Sequence, residues 1–171
     1  VVKVVPAGSP VLVCDLDNTT ANVSMLAFIF KPNERIRALA GADKIIPELM
    51  RSLTVVFLTA RDHIFLAKTR SWLRMNGLPE GPVFIRRRRF WRLSPLQHKI
   101  ERLSELATEH KLVAGIGDMP SDIEAYLKHG MKAYLICPNG TAPTVQGCCR
   151  IRDWSELAKE LSTISSSGPA S

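Results

Sequence analysis

Three apolar runs in this chain each end on residues that can hold a phosphate or a cation, and this pattern constrains the fold most. Val11-Leu12-Val13-Cys14 ends in Asp15-Leu16-Asp17-Asn18-Thr19. Val55-Val56-Phe57-Leu58 ends in Thr59-Ala60-Arg61. Leu112-Val113-Ala114-Gly115-Ile116-Gly117 ends in Asp118, with Asp122 four residues further on. Short continuous apolar runs of this kind read as strands buried on both faces. In an open parallel sheet the carboxyl ends of the strands face one crevice, and ligands bind there.

Helical patterns separate the runs, which argues for an α/β layered fold. The expected elements are strands over 11–15, 55–59, 83–85, 113–117 and 133–137. Helices are expected over 43–53, 63–76, from Ser94-Pro95 onward, over 121–129 and over 153–161. Gly77 and Gly130 read as helix stops. Ser94 followed by Pro95 reads as a cap with Pro at the first helical position. The stretch from Thr20 to Ala42 carries an apolar segment, Leu26 to Phe30, and a turn at Lys31-Pro32-Asn33, but is too short for a separate domain. It leaves no room for a large lid.

At 171 residues, with 46% apolar and 23% charged residues, the chain reads as one globular domain over 1–164. The Ser-, Gly- and Pro-rich residues 165–171 read as a disordered tail. No apolar stretch reaches the length of a membrane span, and no secretory pattern opens the chain. It opens on Val1 rather than Met, which reads as a fragment or a processed form. Four Cys, at 14, 137, 148 and 149, are too few and too irregular for a disulfide framework or a zinc site. A reducing, cytoplasmic setting and a monomer are the default expectations. The formal net charge is +7, and Arg86-Arg87-Arg88-Arg89 with Arg92 holds five of the positive charges. Anionic partners follow: a phosphoester, nucleic acid or an acidic membrane surface.

Asp15 and Asp17 admit two arrangements. Within a strand they would share a face; if the chain turns into a loop, one can attack a substrate while the other handles its proton. An isolated Asp-X-Asp also occurs in metal-binding loops and solvated turns, so the pair gains weight from the other strand ends. A phosphate monoester needs an in-line nucleophile, charge neutralisation and a proton for the leaving oxygen. Asp15 fits a carboxylate nucleophile and Asp17 the acid and then the base. Asp118 fits a ligand for a hard cation, Mg²⁺ foremost, with Asp122 orienting that shell. Thr59, with Ala60 beside it, fits a phosphate contact. Lys99, early in a helix that returns toward the fourth strand, can reach the crevice and balance Asp15, or be a solvated helix residue; Lys111 lies at the opposite end.

Asp15-Leu16-Asp17-Asn18-Thr19, Thr59, Lys99 and Gly117-Asp118 with Asp122 resemble, in order and spacing, the four motifs of the haloacid dehalogenase superfamily. The resemblance covers roughly residues 11 to 140. It implies a Rossmann-like three-layer sandwich, with a mainly parallel sheet of five or more strands, helices on both faces and little or no cap. It also implies Mg²⁺, phosphotransfer through Asp15, and a metal shell of Asp15, Asp17 (through its backbone carbonyl) and Asp118. A second Asp two residues after the nucleophile is similar to the phosphatase branches. Leu58-Thr59-Ala60-Arg61, Thr69-Arg70, Gly77-Leu78-Pro79, Gly81-Pro82, Asp122 with Tyr126, and Pro138-Asn139-Gly140 resemble the catalytic domain of lipin-type phosphatidate phosphatases. The polynucleotide kinase-phosphatase domain is similar around Thr59 to Arg61 and Arg70. Asn18 stands where lipins usually carry Gly, and Gly117-Asp118 where they carry Gly-Asn.

The expectation is a Mg²⁺-dependent phosphatase acting on a phosphate monoester through an aspartyl-phosphate on Asp15. The rivals are a non-catalytic phospho-ligand or membrane-recognition module, and a nucleic-acid 3′- or 5′-phosphatase. Arg86, Arg87, Arg88, Arg89 and Trp91 are candidate substrate contacts, on lipid headgroups or on a single strand, or else a solvated loop whose aromatics pack inward. Arg61 and Arg70 can hold a second phosphate or a carboxylate in bidentate fashion, or pair on the surface. His98 is a candidate to line the site, and Trp72 reads as packing. Asp43, Glu48 and Asp153 read as helix and cap acids.

Overall fold

The computed structural model describes residues 8–86, 93–140 and 144–166. Strands β1 (Pro10–Cys14), β2 (Thr54–Asp62), β3 (Val83–Arg86), β4 (Lys111–Gly117), β5 (Lys132–Ile136) and β6 (Cys148–Ile151) form one sheet in the order β3-β2-β1-β4-β5-β6. All five strand pairings are parallel. Helices α1 (Met25–Phe30), α2 (Ala42–Leu49), α3 (Leu66–Met75), α4 (Pro95–Ala107), α5 (Pro120–Lys128) and α6 (Trp154–Ser166) complete the layers.

Alternate strand residues build two separate cores. Leu12, Cys14, Val55, Phe57, Ile116, Tyr134 and Ile136 face Trp72 and Leu73 of α3, Ile46 of α2, and Trp154 and Leu157 of α6. Val11, Val13, Val56, Leu58, Ala133 and Leu135 face Leu103 and Leu106 of α4 and Ile123 and Tyr126 of α5. Burial on both faces is why the strands read as unbroken apolar runs. The α/β architecture with helices on both faces is the one expected, and the sheet is parallel throughout.

The strand order fixes the position of the crevice. From β1 the chain adds β2 and β3 on one side; it then returns to place β4, β5 and β6 on the other. The carboxyl ends of β1 and β4 therefore flank the switch point, where the loops diverge and leave a cleft. Only α1 and a 3₁₀ turn at Asn33–Arg35 lie between β1 and α2, so the insertion there is small. Lys68 of α3 holds that insertion by donating to the carbonyls of Phe28, Ile29 and Lys31 at 2.6, 3.1 and 2.7 Å. Trp72 adds a bond from Nε1 to the Ile36 carbonyl at 3.0 Å while fully buried, so it packs as expected.

Several boundaries differ from the sequence reading. β2 continues to Asp62, three residues past Thr59, because Asp62 pairs with Arg86 of β3 across a register shift. The helix expected over 63–76 starts as a 3₁₀ turn at His63–Phe65. α2 ends at Leu49 rather than Leu53. Residues 165 and 166, assigned to a disordered tail, belong to the last helix. β6 was not expected: Cys148-Cys149-Arg150-Ile151 is a short edge strand held by pairing to β5, with Ile136 against Ile151. The Ser94 cap is present as a full capping box, Ser94 Oγ accepting from Gln97 N at 3.2 Å and Gln97 Oε1 from Ser94 N at 3.0 Å.

Two glycines of β4 let α5 approach the sheet. A Cβ on Gly115 would lie 2.4 Å from the Tyr126 ring, whose hydroxyl donates to the Ile116 carbonyl at 3.1 Å. Gly115→Ala is therefore expected to lower the unfolding free energy by about 1–3 kcal/mol through overpacking. Urea unfolding checks this; an unchanged midpoint would show that α5 moves away freely.

Candidate functional site

The site begins where β1 stops. The Asp15 amide donates to the Ile116 carbonyl of β4 at 2.9 Å, and the Asp15 carbonyl accepts from Thr20 Oγ1 at 2.7 Å. The chain then turns tightly, with the amides of Thr20 and Ala21 both directed at the Leu16 carbonyl, at 3.0 and 2.7 Å. Asp15 and Asp17 therefore lie in a loop, which settles their two possible arrangements: each carboxylate has its own cationic partner.

Asp15 is paired with Lys99. The Lys99 Nζ lies 2.5 Å from Asp15 Oδ1 and 2.6 Å from Asp122 Oδ1, and its side chain is 4% exposed. This is the placement expected from its position early in α4, not that of a solvated helix residue. Asp122, in the first turn of α5, also accepts from the Met119 amide at 3.2 Å through Oδ2. Its close approach depends on Gly117, where a Cβ would lie 2.4 Å from the Asp122 side chain. Burial raises the Asp15 carboxyl, with Asp122 adding to the effect and Lys99 opposing it. Burial alone would lower Lys99, but the charges of Asp15 and Asp122 outweigh it and keep the ammonium protonated.

Asp17 is paired with Arg61. The guanidinium Nε lies 3.2 and 3.1 Å from the two carboxylate oxygens, and Nη2 lies 2.8 Å from Oδ1. Arg61 is 1% exposed, donates through Nη1 to Thr69 Oγ1 at 3.2 Å, and stacks 3.4 Å from the centre of the Phe28 ring. The bidentate reading of Arg61 thus applies within the chain: the carboxylate it grips is Asp17. Arg70, its companion in the sequence reading, is an exposed residue of α3.

Asp15, Asp118 and Asp122 bring carboxylate oxygens within 4.8 Å of one another. Burial raises Asp118 to about 6, with Asp122 the next contribution, and a hydrogen bond from Asn18 Nδ2 at 3.3 Å opposes the rise. Three carboxylates against the single ammonium of Lys99 leave a formal charge of −2. An all-oxygen donor set with that excess fits a hard divalent cation. The Asp17 carboxylate does not belong to this cluster, being engaged by Arg61.

Thr59 is fully buried at the end of the apolar part of β2, its Oγ1 accepting from the Arg61 amide at 3.2 Å, with Ala60 between them. His98 does not line the cleft. It is buried with Nε2 against the Thr59 carbonyl at 3.3 Å, and burial lowers it to about 4. Arg86 bonds the Leu93 carbonyl and, with Arg61, Ala60, Phe28 and Phe65, lines a cavity of about 160 Å³ beside the site. Arg87, Arg88, Arg89 and Trp91 lie outside the described residues. Sequence reading gave Asn18 no role. Its signal is conformational: among the described residues it is the non-glycine with positive φ, at +52°.

A parallel sheet with an acidic cluster at its switch point is the architecture of the haloacid dehalogenase fold, and solved structures agree. D,D-heptose 1.7-bisphosphate phosphatase from B. bronchiseptica, complexed with magnesium and phosphate, superposes with a TM-score of 0.67 at 17% identity, covering 91% of this chain and 99% of that one. A phospho-aspartyl intermediate analogue of phosphoserine phosphatase gives 0.63 at 16%, covering 90% and 99%. A haloacid dehalogenase-like hydrolase from Xanthomonas campestris gives 0.58 at 14%, covering 94% and 97%. Comparison with curated proteins gives no match. The family model described as "PITM 1-3, LNS2 domain" matches residues 12–137, and the chain belongs to that family.

Two outcomes test the electrostatics. Lys99→Met leaves Asp15 and Asp122 buried without their cation and is expected to cost about 3–5 kcal/mol of stability at pH 7, read by chemical denaturation. His98 is protonated at a lower pH in the folded chain, about 4, than in the unfolded chain, near the ordinary 6.5. Between those values the unfolded state binds more protons, so stability falls as pH drops through this window, by about 3 kcal/mol. His98→Gln keeps a donor for the Thr59 carbonyl without titrating. Its stability should fall less steeply from pH 6.5 to 4 than that of the parent; identical slopes would exclude His98 as a contributor.

Proposed function

We propose that this chain is a Mg²⁺-dependent phosphatase that hydrolyses a phosphate monoester through an aspartyl-phosphate on Asp15. The observation that carries the reading is the Asp15 carboxylate, held by a buried lysine at the switch point beside two further carboxylates. The phosphatases among its structural relatives, one holding magnesium and phosphate and one trapped as a phospho-aspartyl analogue, support the same reading.

An Asp15 carboxylate oxygen attacks phosphorus, the bond to the leaving oxygen breaks, and Asp17 delivers a proton to that oxygen. Water then attacks the aspartyl-phosphate, Asp17 takes its proton, and the bond from Asp15 to phosphorus breaks to release inorganic phosphate. Lys99 and the Thr59 hydroxyl bind phosphate oxygens, with the Ala60 amide beside them. Asp15, Asp118 and the Asp17 carbonyl would hold the cation, and Asp122 would orient the shell. Bound there, Mg²⁺ neutralises the phosphate charge. The small insertion between β1 and α2 leaves the cleft open to bulky or anionic substrates, lipid or nucleic acid, with Arg86 and the basic residues after it as candidate contacts.

A second reading, a non-catalytic phospho-ligand module, draws on one observation: Arg61 engages both oxygens of Asp17. One assay separates the two. Phosphate release is measured on an aryl phosphate, phosphatidate in mixed micelles, a 3′-phosphorylated oligonucleotide and a sugar phosphate. Release that requires Mg²⁺ and falls at least ~10³-fold in Asp15→Asn is the expected result, the scale of losing a nucleophile. Folded protein that binds Mg²⁺ and turns over nothing in the panel would favour the binding module.

A further inference from the structure

Asn18 lies within the first motif without an assigned role, and its geometry is unusual. It holds a left-handed backbone, φ +52°, in the turn after β1, with its amide N–H donating to the Val23 carbonyl at 3.0 Å. Glycine adopts this conformation without penalty, whereas a residue with a Cβ takes it at some cost. The turn itself requires no side chain. The Asn18 side chain reaches instead across the switch point, from the loop after β1 to the loop after β4, where Nδ2 lies 3.3 Å from Asp118 Oδ2. The amide N–H₂ is the end that must face a carboxylate, which only accepts.

Asp118 needs such a partner. Lys99 pairs directly with Asp15 and Asp122, at 2.5 and 2.6 Å, while Asp118 stands beside Asp122 without an ion pair of that kind among the described residues. The charge of Asp122 disfavours the ionised form of Asp118, and the Asn18 hydrogen bond opposes that effect. Fixing one oxygen, Oδ2, leaves Oδ1 directed by geometry rather than by rotation about the carboxyl bond. Ligating carboxylates are held in this way by outer hydrogen bonds, and removing such a bond weakens metal binding.

We propose that Asn18 is a positioning residue for the cation site: its side-chain amide holds Asp118 in the orientation that binds a divalent cation. The inference rests on the metal reading of the acidic cluster and not on the phosphatase reaction.

The test is calorimetric titration of the substrate-free chain with MgCl₂, for the parent, Asn18→Gly and Asn18→Ala, alongside urea unfolding without metal. Glycine suits φ +52°, so Asn18→Gly removes the amide and relaxes the turn. The expected result is about a tenfold weaker Mg²⁺ affinity, the lower end for an outer hydrogen bond, with metal-free stability unchanged or raised. Asn18→Ala should lose the same affinity while also losing stability, which separates the amide from the backbone. Parental Mg²⁺ affinity in Asn18→Gly overturns the inference. A folded parent that binds no Mg²⁺ overturns both the inference and the metal reading. Weakened binding in Asn18→Gly, with no turnover in the parent, sustains the inference while the phosphatase reading fails.

Discussion

The Lys99 ammonium, wedged between Asp15 and Asp122, is the contact on which the arrangement of the cleft depends. It joins the end of β1 to the starts of α4 and α5, three elements far apart in sequence. Removing such charges from water costs several kcal/mol per ion, and only close geometry offsets it. The chain supplies that geometry from local parts. The Ser94 capping box fixes where α4 starts, which sets the height of Lys99 above the sheet. Gly117 allows Asp122 to approach β4, and the Asp15 amide is tied to the Ile116 carbonyl. Each part is simple; the ion pair forms only when all are in register.

A second buried cation gives Asp17 a different environment from Asp15. Arg61 meets Asp17 as a fork and is immobilised by Thr69 and the Phe28 ring, so the carboxylate is oriented as well as neutralised. Oδ1 takes two of the guanidinium contacts and Oδ2 one. Oδ2 is therefore the oxygen with more remaining acceptor capacity, and with the side chain 16% exposed it is within reach of solvent. Two aspartates two residues apart thus have distinct possible tasks because a lysine from one face of the sheet and an arginine from β2 separate them. Phe28 ties α1 to this arrangement, so the small insertion beside the cleft contributes to the order of the site.

The parts of this structure that were legible in sequence are those encoded by short-range pattern. The strand cores, the Ser94 cap, and the convergence of Asp15, Asp118, Asp122 and Lys99 follow from apolar runs, helix starts and the rule that parallel strands deliver their ends to one crevice. What was missed depends on contacts between distant residues. β6 carries Arg150 and no clean alternation, and exists because β5 offers it an edge. The extension of β2 to Asp62 comes from a bulged pairing with β3. The partner of Arg61 could not be chosen from sequence, since an external phosphate and Asp17 satisfy a guanidinium equally well. Burial of His98 follows from the packing of α4 against β2, and its polarity gave the opposite impression. Asn18 was visible only as a departure from a glycine; its φ angle and its reach to Asp118 required the fold.

The charge balance of the cleft limits what it can accept. The chain as a whole carries +7, yet the cleft carries three carboxylates and one ammonium where a phosphate dianion would have to sit. Long-range attraction from the surface can draw an anion toward the protein, but screening confines that help to roughly 10 Å at ordinary ionic strength. Inside the cleft the local excess of negative charge dominates. Lys99 offsets one of these charges, its ammonium shared between Asp15 and Asp122 at hydrogen-bonding distance. The Arg61 fork is engaged with Asp17 instead. Among the described residues, Asp15, Asp118 and Asp122 therefore keep an excess of negative charge, and this acidic cluster is a group suited to hold a cation. The proposed phosphatase reaction depends on that cation, because a phosphate brought beside uncompensated carboxylates meets like charge.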